Sequence, residues 1–140
     1  MRSFILFLIL TVRCNPKTKE QATTSNMGNW NKYFLNIYDN FNRRNIDFVI
    51  SNMTFDVKWA NGMDGGFVHG HEGARDYWTR QFKLVSSNVT PLNVQESNGK
   101  IIVKVHQVVH DLGGKLLADD TVTYIFRLDR DKIAQFDIEK

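Results

Sequence analysis

The chain has 140 residues, of which 42% are hydrophobic, 12% aromatic and 24% charged. This composition is typical of one globular domain with a packed core, and it excludes a multidomain or largely disordered protein. The formal net charge is +3 from 18 basic and 15 acidic residues, but four of the basic residues and one acidic residue lie within 1–26. Residues 27–140 are therefore neutral and contain no basic cluster, so we expect no nucleic-acid partner.

The N-terminus is similar to a bacterial lipoprotein signal. Arg2 precedes the apolar stretch Phe4–Val12, which is shorter than the ~20 residues that a membrane-spanning helix needs. Cys14, the single cysteine, follows at once and is the predicted lipidation site. The predicted organisation is a signal peptide at 1–14, a flexible tether at 15–26 and a domain at 27–140.

This organisation predicts a lipoprotein of the cell envelope that touches the membrane only through its N-terminal lipid. The alternatives are an ordinary cleaved signal of a secreted or periplasmic protein, an uncleaved anchor, or a wrongly assigned start codon. A single cysteine cannot form a disulfide framework, so the core must stabilise the domain.

Two helices and a strand are predicted in the first part of the domain. Apolar residues spaced three and four apart predict an amphipathic helix over Asn29–Arg44. Asn45 can cap a second, shorter helix that runs to Met53. Residues 55–59 alternate with period two and predict a strand. Its inward-facing residues would be Phe55, Val57 and Trp59.

A third helix and four strands follow. A glycine-rich loop and a short extended piece lead into apolar residues at helical spacing from Ala74 to Val85. The period then changes to two, with an Asn98-Gly99 turn of the type that favours a hairpin. The predicted strands are Val89–Gln95, Ile101–His110, Leu116–Leu128 and Ile133–Ile138. This order predicts an α+β fold with three N-terminal helices packed on one face of a curved antiparallel sheet.

Two polar residues interrupt the apolar faces of these strands. Gln107 lies in mid-strand, where a buried amide would need hydrogen-bond partners. Asp120 lies in the apolar row of the next strand, and a carboxylate that reaches the interior could act as a general acid or base. A bulge or fraying near the hairpin end would instead turn Asp120 towards water, and Gln107 could equally make only a structural hydrogen bond.

The histidines do not predict a metal site. His69, His71 and Glu72 are close in sequence, but a closed site needs three or four converging ligands. His106 and His110 share a strand face, yet they would lie ~13 Å apart at the usual rise. We expect no metal and no cofactor, and no phosphate-binding or nucleophile motif identifies a reaction.

Five segments together form a recognisable pattern: Tyr38–Asp47, Asp56–Trp59, Gly66–Phe82, Val105–Val109 and Val122–Leu128. The third contains the pattern Gly-x-x-Gly-x-x-x-Tyr-Trp, from Gly70 to Trp78. With these residues the domain resembles the SnoaL-like branch of the nuclear transport factor 2-like superfamily. Relatives in that superfamily include polyketide cyclases and ketosteroid isomerases.

The resemblance implies a cone-shaped α+β barrel that encloses one apolar pocket, often in a homodimer. In the enzymes, a pocket Asp acts as the base toward an acidic carbon, and a Tyr or another donor holds the enolate oxygen. For this sequence the resemblance implies that Asp120 is the catalytic base and that Tyr124 or His69 is the donor. The residues expected to bind the ligand are Tyr38, Trp59, Tyr77, Trp78, Gln107 and Tyr124.

We therefore predict a small-molecule binding domain for a ring-containing or lipid-like ligand. One alternative is an isomerase or cyclase-type enzyme that transfers a proton next to a carbonyl. The other is a non-catalytic, dimeric interaction module whose outer sheet face carries Ile102, His106 and Val108. The expected partners are a small hydrophobic molecule and a second copy of the chain.

Overall fold

A computed structural model describes residues 28–139. The predicted signal peptide with Cys14 and the predicted tether at 15–26 lie outside these described residues. Within them, no helix is both long and apolar enough to cross a membrane.

Three helices and two strands form the first part of the domain. Helix α1 covers 28–42 of the described chain. The other elements are α2 (Ile46–Ser51), β1 (Met53–Ala60), β2 (Phe67–His69) and α3 (Gly70–Leu84). Gly70 has a φ of 73°, a left-handed conformation that glycine adopts without strain, and it lets β2 turn directly into α3. Asn45 precedes α2, but its side chain makes no capping bond and donates to Asn40 Oδ1 instead, at 2.9 Å.

Four strands complete the sheet: β3 (Val85–Ser97), β4 (Lys100–Asp111), β5 (Leu116–Asp129) and β6 (Lys132–Ile138). They form the expected antiparallel meander. Asn98 and Gly99 join β3 to β4 with positive φ values of 51° and 78°, as a type I′ hairpin turn requires. The strand order across the sheet is β2-β1-β6-β5-β4-β3.

The sheet is mixed, whereas the sequence predicted an antiparallel one. Strand β6 lies between β5 and β1, and it runs parallel to β1. Period-two patterns and turn residues set the relative direction of strands that a hairpin connects. Because α3 and four strands separate β1 from β6 in sequence, no turn signal reports the direction of this pair.

Phe55 is not inward-facing, so that part of the prediction is wrong. Its side chain is 87% exposed, whereas Val57 and Trp59 are buried as expected. The pairing of β1 with β6 shifts register between Met53 and Lys58. Such an irregularity breaks the simple alternation of faces on which the prediction depended.

The core lies between the inner face of the sheet and helices α1 and α3. Phe34 of α1 packs on Phe126 of β5, with ring centroids 4.6 Å apart. Trp59 stacks on Phe136 at 4.2 Å and meets Trp78 of α3 edge-on at 5.1 Å. These contacts place an aromatic layer in the middle of the domain, and the cavity described next begins beside it.

Candidate functional site

A partly open cavity of about 420 Å³ lies between the inner sheet face, α1 and α3. Its wall combines aromatic rings and aliphatic side chains from both layers. Gly62 and Met63, in the loop after β1, are the exposed members of this wall. The lining residues are Tyr38, Phe41, Trp59, Ala60, Gly62, Met63, Tyr77, Trp78, Gln81, Val85, Ser87, Val89, Gln107, Val109, Val122, Tyr124, Phe136 and Ile138.

Hydrogen bonds to the edge strand β3 fix the cavity end of α1. The side-chain amide of Asn42 donates to the Val89 carbonyl oxygen at 2.8 Å and accepts from the Val89 N–H at 2.9 Å. Arg44 donates to the Ser87 carbonyl oxygen at 2.8 Å, and its guanidinium lies 4.3 Å from the centroid of the Phe82 ring. These contacts hold the preceding helical turn, and with it Tyr38 and Phe41, at the cavity wall.

Helix α3 supplies the opposite wall. Tyr77 and Gln81 are one helical turn apart and therefore share a face, and Gln81 Nε2 donates to the Tyr77 hydroxyl at 3.3 Å. The same hydroxyl accepts the Gly62 N–H at 3.0 Å, which ties the loop after β1 to the helix. A Cβ at Gly62 would lie 3.3 Å from Ile138 Cδ1 and 3.4 Å from the Tyr77 hydroxyl, so glycine allows this close approach.

The sheet contributes a polar pair to an otherwise apolar wall. The Tyr124 hydroxyl donates to Gln107 Oε1 at 2.7 Å, which leaves the two N–H groups of the Gln107 amide for other partners. The Tyr38 ring lies 6.1 Å from that of Tyr124. The Tyr38 hydroxyl and Gln81 Oε1 are buried without a hydrogen-bond partner among the described residues, an arrangement that is costly unless another group satisfies them.

The three cavity tyrosines are held in the neutral form. Burial, with a smaller contribution from Tyr124, raises the pKa of Tyr38 well above its usual 10. Burial also raises the pKa of Tyr77 and of Tyr124. Among the described residues, none that lines the cavity is Asp, Glu, Lys, Arg or His. The cavity is therefore an uncharged environment with hydroxyl and amide groups as its polar features.

The structure brings six of the predicted site residues together. Tyr38, Trp59, Tyr77, Trp78, Gln107 and Tyr124 all line the cavity. Sequence reasoning missed Gln81, although its position four residues after Tyr77 on the same helix could have indicated it. It also missed Gly62 and Met63, because a glycine-rich loop has no periodicity that would orient its residues.

Asp120 and His69 do not line the cavity. Asp120 is the register partner of Gln107, so both side chains lie on the inner side of the sheet, but Asp120 is exposed. Most residues from 112 to 121 are exposed, so this end of the β4–β5 hairpin is poorly covered. His69 is exposed and immediately precedes α3. Their predicted catalytic roles stay predictions.

Two of the three remaining histidines have structural contacts. His71 Nε2 donates to the Met53 carbonyl oxygen at 3.1 Å, and His106 Nε2 lies 2.6 Å from Asp119 Oδ1 on the outer side of the sheet. Within 28–139, no three His, Cys, Asp or Glu side chains are placed to hold a metal ion together.

Residues 34–136 match the family model of the SnoaL-like domain. The chain belongs to the SnoaL-like family. A comparison with curated proteins found no match for it. The match begins within α1 and ends within β6, so it includes all of the cavity-lining residues except Ile138.

Solved structures share the fold of this SnoaL-like domain. TerC, co-crystallised with polyporic acid, has a TM-score of 0.69 and 22% identity over 77% of this chain and 88% of its own. A nuclear transport factor 2-like protein of unknown function from Burkholderia pseudomallei has a TM-score of 0.66 and 23% identity, covering 74% and 83%. A computationally designed 17-OHP binder has a TM-score of 0.64 and 13% identity, covering 74% and 86%.

Proposed function

We propose that the SnoaL-like domain binds a neutral, ring-containing or lipid-like small molecule in its cavity. The observation that carries the proposal is the cavity itself, about 420 Å³ in volume and walled by aromatic rings. Pockets for drug-sized ligands are typically roughly 300–1,000 Å³ and mostly apolar, with a few placed polar groups. A charged ligand would have to leave water for a wall without a counter-ion, which is strongly unfavourable.

The polar groups of the wall indicate where a ligand would be held. The Tyr38 hydroxyl has no partner among the described residues, and the Gln107 amide nitrogen stays available after its oxygen has accepted Tyr124. Both groups can donate to a ligand oxygen, and Gln81 Oε1 can accept from a ligand hydroxyl. The proposed ring-containing or lipid-like ligand therefore carries at least one carbonyl or hydroxyl oxygen.

Two of the structural relatives support this proposal through what they hold. TerC was co-crystallised with polyporic acid, and the designed protein is a 17-OHP binder. Both share the fold of this domain, at 22% and 13% identity.

Native mass spectrometry of the chain purified from its own host tests the proposal. We expect a mass increment from a retained compound, which can be extracted and identified. Val109→Phe would fill the cavity from β4 and should abolish the increment, whereas Lys104→Phe, on the other face of the same strand and exposed, should leave it intact. If the two variants retain the compound equally, the compound is not in the cavity and the proposal fails.

The second candidate is an enzyme that transfers a proton next to a carbonyl, with Asp120 as the base. Its support is the register of the sheet, which places Asp120 opposite the cavity residue Gln107. With an identified compound as substrate, Asp120→Asn should abolish turnover and leave affinity nearly unchanged. Unchanged turnover would remove Asp120 from the mechanism.

The sequence alone supports two further proposals. We propose that Cys14 is acylated, which metabolic labelling with a palmitate analogue tests; a Cys14→Ser form that still takes the label would contradict it. We also propose a homodimer through the outer sheet face of Ile102, His106 and Val108. A mass that stays monomeric across dilution in light scattering would contradict the dimer.

A further inference from the structure

A second, more open cleft of about 510 Å³ lies beside the first residues of α1 that the structure describes. We call it the N-terminal notch and define it by its lining residues, Asn29, Trp30, Tyr33, Glu96 and Asp131. It shares no residue with the ligand cavity. We propose that the N-terminal notch binds an alkylated ammonium group, such as a quaternary amine.

Two aromatic rings form a corner of the notch. Trp30 and Tyr33 have ring centroids 5.4 Å apart and planes at 88° to each other. The Tyr33 hydroxyl donates to the Asp131 carbonyl oxygen at 3.3 Å, and its ring meets that of Phe34 edge-on at 5.0 Å. These two contacts hold the Tyr33 side chain in place. A corner of two such faces is suited to an alkylated ammonium, which aromatic rings attract through their negative faces.

Two carboxylates supply negative charge at the same place. Glu96 is near the end of β3, and Asp131 lies in the turn between β5 and β6. Neither forms an ion pair with another of residues 28–139. Burial first, and the Asp131 charge second, raise the pKa of Tyr33 to about 12, which is consistent with a negative potential at this ring.

This combination selects against other ligands. An anion would be repelled by both carboxylates, and among residues 28–139 no three His, Cys, Asp or Glu side chains are placed to hold a metal ion together. A helix N-terminus carries only about half a positive charge, so any contribution of α1 would be smaller than that of two carboxylates. An alkylated ammonium is bulky, weakly hydrated and positive, and it can use the rings and the charges together.

Proton–nitrogen NMR of the full chain, with the three tryptophan indole N–H signals as probes, tests the proposal. Choline chloride is the ligand, and 3,3-dimethyl-1-butanol, in which carbon replaces the charged nitrogen, is its neutral counterpart. Loss of one signal in Trp30→Phe assigns the Trp30 resonance. We expect choline to shift that resonance in a saturable way and to bind about tenfold more tightly than the alcohol.

Two double variants distinguish binding in the notch from a general electrostatic attraction of choline to the protein. The double variant Glu96→Gln, Asp131→Asn should weaken choline binding about tenfold, and Asn tolerates the positive φ of 68° at position 131. The control Asp56→Asn, Glu72→Gln removes the same charge from exposed sites elsewhere and should bind as the parent does. The proposal is overturned if Trp30 does not respond, if the alcohol binds equally well, if the Trp59 or Trp78 signal shifts instead, or if the two double variants behave alike.

Discussion

The two halves of the inner sheet face are built from the same alternating strands, but only one is filled. In the first half Val103 and Phe126 are completely buried, and Phe34 of α1 packs against Phe126. In the second half Val109 and Val122 are only partly buried and face a cavity. Strand pattern therefore sets which side chains face inward, whereas helix side chains decide whether the space between helix and sheet is filled.

Removing the Phe34 ring tests the filled half of the inner sheet face. Phe34→Ala should destabilise the fold by about 3–5 kcal/mol, because it removes a fully buried ring and leaves a hole that the neighbours cannot close. Urea unfolding followed by tryptophan fluorescence measures the change. A loss below about 1 kcal/mol would show that the packed half is not the stabilising one.

A matched pair of valines compares the halves directly. Val103→Ala should cost about 2 kcal/mol, and Val122→Ala less than about 1 kcal/mol, because only Val103 is fully buried. Both residues lie on the inner face, so composition and strand position are similar. Equal losses in urea unfolding would contradict the distinction between the halves.

The polar pair in the open half gives a smaller effect. Gln107→Leu should cost about 1–2 kcal/mol, because the buried Tyr124 hydroxyl loses its acceptor. Adding Tyr124→Phe should recover most of that loss, since the double variant has no hydroxyl to satisfy. If the second substitution recovers nothing, the loss came from packing and not from the hydrogen bond.

The smallest effect appears only at alkaline pH. All four tyrosines have a raised pKa in the folded chain. Above pH 10 the tyrosines of the unfolded chain therefore ionise first, which stabilises the unfolded chain. The stability that the neutral tyrosines contribute is complete below pH 10 and is lost as pH rises above it. Each contributes a slope of about 1.4 kcal/mol per pH unit in that window. Tyr38→Phe should flatten the slope by one such contribution and leave stability at pH 7 unchanged or slightly higher. Urea unfolding from pH 8 to 11 measures it, and an unaltered slope would contradict the burial of that hydroxyl.

Much of the fold followed from the sequence because its signals are local. The 3.6-residue period of α1 and α3 and the Asn98-Gly99 turn act over a few residues, and the structure confirms the elements that they predict. The parallel pairing of β1 with β6 and the irregularity at Phe55 depend on residues far apart in the chain. No short pattern could have indicated them.

The site was predictable to the extent that it consists of large side chains on regular elements. Tyr77 and Gln107 are found at the cavity because helix and strand periods fixed their direction. The Asp120 side chain also lies on the inner side of the sheet, but the sequence pattern did not indicate that the sheet is poorly covered there. Direction comes from local geometry, whereas enclosure depends on the whole fold.

The position of β6 has a consequence for the kinetics of folding. The strand that is synthesised last of the six occupies the middle of the sheet and joins β1 to the β3–β5 meander. Until it emerges from the ribosome, the two parts have exposed strand edges and an unfilled gap between them. Closure between such distant segments is slow and leaves aggregation-prone intermediates, so we expect assembly of this domain to wait for β6 and to benefit from chaperones.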